Sequence, residues 1–345
     1  MKADTITKDF ISDAEVFADI FNYYIYEGQQ VIFPEQLMER DSVTLAFPYG
    51  ADGIRVPIQK LRDGQKLCIV KTDGKTEYVL FGAENQTEIH YAMAVKNNLY
   101  DALEYAGQVE KAAKAHKKAR KDMSEAGKKP NSGEFLSGFW KEDRLIPSVT
   151  LTVYFGCEEW DGPLSLFDMM DVADPRILSC MDDYHVRLIA PNLMTDKEIL
   201  KFQSNLREVM LFIKYSKDKD RLQEVLENHE ERFREMERRA VDVIEVITNT
   251  GLKYEEKGGK VDVCQAIQEM RTESERIGEQ RGEQRGERIG EQRGERIGEK
   301  KGELKKAKES ARNFYDLGIE IETIAEGIGY TVEIVKGWLG LSEQP

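Results

Sequence analysis

RDGQKLCIVKTDGKTEYVLFGAENQ, residues 62–86, decides how this chain folds. Two runs rich in β-branched and apolar residues flank Asp73-Gly74, a dipeptide suited to a two-residue hairpin turn whose central positions both need positive φ. With that turn in place, pairing runs outward from Thr72 opposite Lys75 to Asp63 opposite Glu84. Side chains alternate along a strand, so Gln86 shares the face of Glu84 while Lys66 takes the other. Leu67, Ile69 and Leu80 fall on one face; Cys68, Val70, Val79 and Phe81 fall on the opposite one. A hairpin that is apolar on both faces belongs in the middle of a covered sheet.

Carboxylates directly opposite each other on a strand pair repel, with Cβ atoms about 4.5–5.5 Å apart. A hard divalent cation compensates such a pair. Mg2+ takes one or two carboxylates plus waters and substrate phosphate oxygens, and such an ion polarises a phosphodiester and lowers the pKa of bound water. Asp63 and Glu84 are therefore the candidate metal ligands. The alternative is a solvated sheet end at which the two acids bind nothing.

Upstream of the hairpin, Ile11, Val16, Phe17, Ile20, Phe21 and Tyr24 recur at helical spacing. Ser12 is the expected N-cap, Glu15 its capping-box partner and Gly28 the stop. A further strand is expected at residues 43–47. Downstream, the pattern predicts a helix over 91–120 and a strand over 148–155, where Val149, Leu151, Val153 and Phe155 alternate. A short helix opening at Pro163 and Leu164, a strand over 186–190 and helices from 196 to 248 follow. Strands and helices interleave, which defines an α/β class with a mixed sheet (α+β in character).

The 345 residues suggest two or three folding units. With 64 acidic against 50 basic residues the net charge is −14, which excludes a general nucleic-acid coat. Any DNA contact needs a local basic patch, because affinity for DNA rests on Lys and Arg meeting phosphates. Residues 111–129 supply one, with Lys111, Lys114, Lys117, Lys118, Arg120, Lys121, Lys128 and Lys129 against Asp122 and Glu125. It is either a solvated helix end or a set of phosphate contacts. No apolar run approaches the roughly 20 residues of a spanning helix, and the first ten residues do not resemble a signal peptide. Cys68, Cys157, Cys180 and Cys264 show no C-x-x-C spacing, which fits free thiols in the cytoplasm. The four scattered histidines give no His/Cys metal site.

Glycines recur at 278, 282, 286, 290, 294, 298 and 302, each followed by Glu. Each interior Gly costs a helix about 1 kcal/mol relative to Ala, and Glu residues four apart repel. The stretch reads as an extended spacer or as a helical stalk, a coiled coil with another copy. In the last unit, Ile321, Ile324, Ala325 and Ile328 suggest one short helix. Gly329 breaks it, and Thr331 caps a second helix carrying Val332, Val335 and Trp338. The pair resembles a helix-turn-helix, but its charge is acidic, which favours docking or dimerisation. A homodimer through residues 271–345 is the expected assembly.

FADIFN near the start, RD at 62–63, GAENQTEIHYAM at 82–93, YDALEYAGQ at 100–108 and PSVTLTVYFGCEEWDGP at 147–163 resemble the Rpn (recombination-promoting nuclease) and YhgA-like transposase family. That family lies within the PD-(D/E)xK nuclease superfamily, and the likeness runs over residues 10–250. It implies a restriction-endonuclease-like PD-(D/E)xK core with a helical C-terminal extension. The implied organisation is a nuclease-like domain over 1–250, a tetrad linker or stalk over 251–310 and a small helical unit over 311–345. By resemblance, Asp63 and Glu84 hold Mg2+. Gln86 replaces the superfamily's usual Lys, and Asp19 (in preference to Glu15) completes the site from the first helix. Tyr105 and Gln108 back it. The implied activity is Mg2+-dependent DNA endonuclease action in recombination or transposition, with DNA as partner and Lys111, Lys114, Lys117, Lys118, Arg120 and Lys121 on its phosphates. Two rival readings are a catalytically weak nuclease fold that binds DNA or a protein, and an interaction protein acting through its repeat and C-terminal helices.

Overall fold

The computed structural model describes residues 2–39, 43–46, 58–61, 64–72, 75–122, 130–171 and 174–341. Its compact units are Met1–Met270 and Arg271–Pro345. The first unit is a mixed α/β domain around a mixed sheet.

The domain opens on helices α1 (Lys2–Ser12) and α2 (Ala14–Tyr26). The single helix expected here is thus two. Ser12 does not cap α2; it ends α1, its Oγ donating to the Lys8 carbonyl at 2.8 Å. Asp13 is the cap, accepting from the Glu15 amide at 2.9 Å and the Val16 amide at 3.4 Å. The α1 helix forms because Thr7, Phe10 and Ile11, spaced three and four apart, bury one face. Glu27 and Gly28, with φ of 54° and 91°, stop α2.

Strands β1 (Leu37–Glu39), β2 (Val43–Ala46), β3 (Ile58–Leu61), β4 (Gly64–Thr72) and β5 (Lys75–Gln86) follow. Next come α3 (Met93–Asp122), α4 (Ser132–Ser137), β6 (Ser148–Tyr154), α5 (Pro175–Leu178) and β7 (Leu188–Ile189). The main sheet has the order β1-β4-β5-β6-β7. It is antiparallel from β1 to β5 and parallel from β5 to β7. The β4–β5 register is the expected one, from Thr72↔Lys75 to Gly64↔Ala83. The Asp73-Gly74 turn itself lies outside the described residues.

No helix opens at Pro163 and Leu164. The Asp168 carboxylate takes the Leu164 and Ser165 amides at 3.0 and 2.9 Å, closing a local turn instead. The strand expected over 186–190 shortens to β7, because the Val186 amide bonds the Leu164 carbonyl at 2.7 Å, outside the ladder.

Helices α6 (Asp196–Ile199), α7 (Leu206–Tyr215), α8 (Lys219–Asn228), α9 (Glu230–Arg234) and α10 (Arg238–Thr248) complete the helical layer. The core joins α2, the sheet, α7 and α10 through Phe17, Phe21, Phe81, Val153, Phe212 and Ile244, all essentially without exposed surface. Strands β8 (Met236–Glu237), β9 (Glu256–Lys257) and β10 (Lys260–Val261) form a small separate sheet.

The glycine–glutamate tetrads are helical, not extended, within α11 (Val263–Asp316), and residues 278–306 are exposed. Glu, Gln, Arg and Lys fill most of the other positions, with Ile289, Ile297 and Leu304 at the rest, and these four polar residue types are good helix formers that offset the glycine cost. A Cβ added at any glycine from 278 to 302 meets no atom within 4 Å. Helices α12 (Ile321–Ile328) and α13 (Val332–Leu339) form a small cluster on Ala311, Ile324, Ala325 and Val335. Gly329, with φ 74°, separates them. Among the described residues no helix is long and apolar enough to cross a membrane.

Candidate active site

Alternation along β5 sorts its side chains between two helical layers. Phe81 stacks on Phe21 of α2, ring centroids 4.1 Å apart, and Asn85 donates to Thr7 Oγ1 of α1 at 2.7 Å. Glu84, of opposite parity, faces α3. Lys96, in the first turns of α3, places Nζ 3.0 Å from Glu84 Oε2. The carboxylate side chain is 1% exposed and the lysine 23%, so the lysine is the accessible member of the pair.

The same face of α3 continues as a polar seam against the sheet. Asn97 Nδ2 donates to Thr152 Oγ1 at 2.9 Å, and Thr152 is the register partner of Glu84 on β6. Asn97 Oδ1 is buried with no hydrogen-bond partner. Asp101 accepts from Thr150 Oγ1 at 2.7 Å, Ser148 Oγ at 3.1 Å and the Tyr184 hydroxyl at 2.7 Å. Burial, and then the Asp101 carboxylate, push the Tyr184 hydroxyl well above its usual range. Gln65 Nε2 donates to Glu104 Oε2 at 3.2 Å. Gln108 clasps Ile146, donating to its carbonyl at 3.1 Å and accepting from its amide at 2.7 Å. Tyr105 accepts from the Ser148 amide at 3.1 Å. Tyr105 and Gln108 thus tie α3 to the start of β6 and the residues just before it.

The expected site residues separate. Glu84 and Gln86 share the α3-facing parity of β5, and Gln86 Nε2 donates to the Asn85 carbonyl at 2.7 Å. Asp63 lies outside the described residues, one step beyond the last observed pair, Gly64↔Ala83. Lys66 takes the other face, donating to the Ser12 carbonyl at 2.8 Å with Nζ 5.3 Å from the Phe17 ring centroid.

Asp19 does not join Glu84. Phe17 and Phe21 turn α2 toward the sheet, and residue 19 falls about 200° round the helix from each. Its carboxylate accepts instead from the Gln203 amide at 2.9 Å, the Ser204 amide at 2.8 Å and Ser204 Oγ at 2.7 Å. It pins the approach to α7, and α2 packs on the sheet face opposite Glu84. Burial raises its pKa, against the lowering effect of those hydrogen bonds. Glu15, the other acid weighed, is exposed on α2.

Lys111, Lys114, Lys117 and Lys118 are exposed on α3, with Lys114 paired to Glu110 at 2.8 Å. Arg120 and Lys121 occupy the last turn of that helix; Lys128 and Lys129 lie outside the described residues. The segment after α4 lies along this part of α3, where the His116 ring stacks on Trp140 at 4.0 Å and bonds Asp143 at 2.8 Å.

Lys96 is the residue that sequence reading missed. Its signal was the polar set Lys96, Asn97, Asp101, Glu104 and Gln108, spaced to lie along one helix face behind a central strand.

Among the described residues no group of three or more His, Cys, Asp or Glu side chains is placed to hold a metal ion. The Glu84 carboxylate, with Lys96 Nζ at 3.0 Å, offers oxygen donors of the hard kind that Mg2+ takes.

The fold and site define a mixed α/β protein in which a buried carboxylate of the central sheet pairs with a part-exposed lysine of a long helix. Residues 136–243 match the family described as "Putative transposase, YhgA-like", which bears out the resemblance drawn from the sequence motifs. The matched stretch holds Thr150, Thr152, Tyr184 and the Asp19-binding turn, but not Glu84 or Lys96. No curated protein and no solved structure matches this chain.

Proposed function

We propose that the chain is a Mg2+-dependent DNA endonuclease acting in transposition or recombination, built on a PD-(D/E)xK-type core. The observation that carries this reading is the buried Glu84 carboxylate on the α3 face of the sheet, at the end of the β4–β5 hairpin whose register the sequence predicts. Asp63 and Glu84 would hold the cation. When bound, Mg2+ polarises the phosphodiester and lowers the pKa of a bound water.

The chain's own groups do the rest. Gln86 hydrogen-bonds the attacking water but brings no charge. Asn97 presents a buried acceptor beside Thr152. Tyr105 and Gln108 fix the β6 end against α3 and keep the seam rigid. Lys111, Lys114, Lys117, Lys118, Arg120 and Lys121 draw the DNA backbone toward that helix. Residues 271–345 pair two copies.

The test is nicking of supercoiled DNA by the full chain with Mg2+. The wild type is expected to nick, a chelator to stop it, and Asp63→Ala and Glu84→Ala to abolish it. Full cleavage by both variants would overturn the site assignment.

A second reading is a catalytically weak nuclease fold that binds DNA or a protein partner. The Lys96–Glu84 pair favours it, because the lysine compensates the carboxylate without any metal. Calorimetry separates the two: heat of Mg2+ or Mn2+ binding supports the nuclease, and its absence supports the binding module.

A further inference from the structure

We propose that Phe135 and Leu136 form an apolar wedge that enters the base stack of duplex DNA while basic side chains beside it hold the flanking phosphates. The inference rests on DNA as the partner, in either reading above, and names how that partner is gripped. It needs no metal ion.

Helix α4 is turned inside out. A surface helix normally buries its apolar side chains and exposes its charges. Here Phe135 and Leu136 are 70% and 89% exposed, while Glu134 is buried at 7%. The Glu134 carboxylate serves as a tie, accepting from the Asn131 amide at 2.8 Å and the Lys141 amide at 3.2 Å. Asn131 Oδ1 in turn accepts from the Glu134 amide at 2.9 Å. Rolling the helix to bury its apolar pair would break these bonds.

The helix stands on a fixed base. Gly138, with φ 72°, ends it, and a Cβ there would lie 2.7 Å from the Ala113 Cβ of α3. Only glycine lets the chain pass so close to α3. Trp140 then lies flat on the His116 ring, centroids 4.0 Å apart and planes 4° from parallel. The Asp143 carboxylate bonds His116 at 2.8 Å and the Trp140 amide at 2.7 Å. A wedge mounted this way loses little freedom on binding, which favours insertion.

Charge beside the wedge suits a duplex. Ala113 and His116 are each followed by a lysine, and Lys114 and Lys117 fall about 100° round α3 from them, together on one flank of the contact. Both are exposed, as are Lys141 and Arg144 beyond α4, with Glu142 as the opposing charge between them. Lys114 is shared with Glu110 at 2.8 Å. Duplex DNA offers the complement, phosphates outside and apolar stacked bases within. Side chains such as Phe and Leu enter base steps in this way and kink the helix. Pyrimidine–purine steps unstack most easily, so such a wedge selects TA and CA steps. An anionic membrane fits less well, because its hold scales with buried apolar area and α4 offers two apolar side chains on six residues.

The test uses the full chain with a chelator present, so that the DNA stays intact. Duplexes carrying 2-aminopurine at a central TA step or within an A-tract report unstacking as a rise in fluorescence. End-labelled duplexes report bending by energy transfer, and anisotropy gives affinity. The wild type is expected to brighten and bend the TA duplex and to bind it about tenfold or more tighter than the A-tract. Phe135→Ser with Leu136→Ser should lose both signals and that preference, yet keep the salt dependence of binding, because the lysines remain. Leu136→Met should retain all three. Circular dichroism checks folding, and if the double variant unfolds, Leu136→Gln alone carries the same expectation.

DNA binding by the wild type with neither brightening nor bend, or unstacking retained in the double variant, overturns the wedge and leaves DNA as the partner. Absence of DNA binding by the wild type removes the DNA reading and this inference together. Binding to phosphatidylserine vesicles that depends on the pair would assign it to a lipid surface, and a fall in mass by light scattering in the double variant would assign it to a second copy. Either result, in the absence of DNA distortion, overturns the proposal.

Discussion

Lys96 and Glu84 come from the start of α3 and the end of β5 and meet at 3.0 Å, with the carboxylate withdrawn from solvent. The contact sets the rotation of α3 about its axis. With Lys96 turned to the sheet, Asn97, Asp101, Glu104 and Gln108 follow onto the same face. The site is thus one end of a continuous polar seam whose other members hydrogen-bond α3 to the sheet and hold the helix in register.

Asp101 is the centre of that seam. Asp101→Ala leaves the Thr150 and Tyr184 hydroxyls without their acceptor inside the protein. We expect a loss of about 2–4 kcal/mol in urea unfolding, from unsatisfied buried donors and the missing charge-assisted bonds. A loss under about 0.5 kcal/mol, the range of ordinary surface changes, would show that the seam does not stabilise the helix.

Much of this was legible in the sequence, for local reasons. The Asp-Gly turn and period-two alternation predicted the β4–β5 register as observed from Thr72↔Lys75 to Gly64↔Ala83, and so the shared face of Glu84 and Gln86. The α1–α2 break was not legible, because Ser12 and Asp13 are both good caps and only packing decides between them. Asp19 misled because a polar residue in an apolar helix stripe looks like a site residue, whereas here it binds the 203–204 turn. Lys96 was hidden because its partner lies on a strand twelve positions back, and only the docking of α3 joins them.

Glu208 gives a pH signature. Burial would raise its pKa, but hydrogen bonds and charge from Arg232 at 2.6 Å and Arg207 at 2.9 Å outweigh that and hold it below the usual glutamate value of 4.5. A depressed folded-state pKa gives stability that is present above the unfolded pKa and lost as pH falls through the folded one. The wild type should therefore lose part of its urea midpoint as pH drops below that 4.5. Glu208→Gln should be less stable at neutral pH, and its difference from wild type should shrink in acid. A difference independent of pH would contradict the ion-pair account.

The lysines of α3 have an electrostatic test. Replacing Lys111, Lys114, Lys117 and Lys118 together by Gln should flatten the plot of log affinity for DNA against log salt. Each phosphate left without its lysine takes about 0.9 from the slope. An unchanged slope would assign these side chains to solvent alone.

The most direct test of where the chemistry sits compares the two sheet faces. Supercoiled DNA and Mg2+ are given to Glu84→Gln and Asp19→Asn, each first shown to be folded by circular dichroism. Loss of nicking in Glu84→Gln with retained nicking in Asp19→Asn is the predicted result. Sustained nicking by Glu84→Gln, or its loss in a folded Asp19→Asn, would place the reaction elsewhere than on the α3 face.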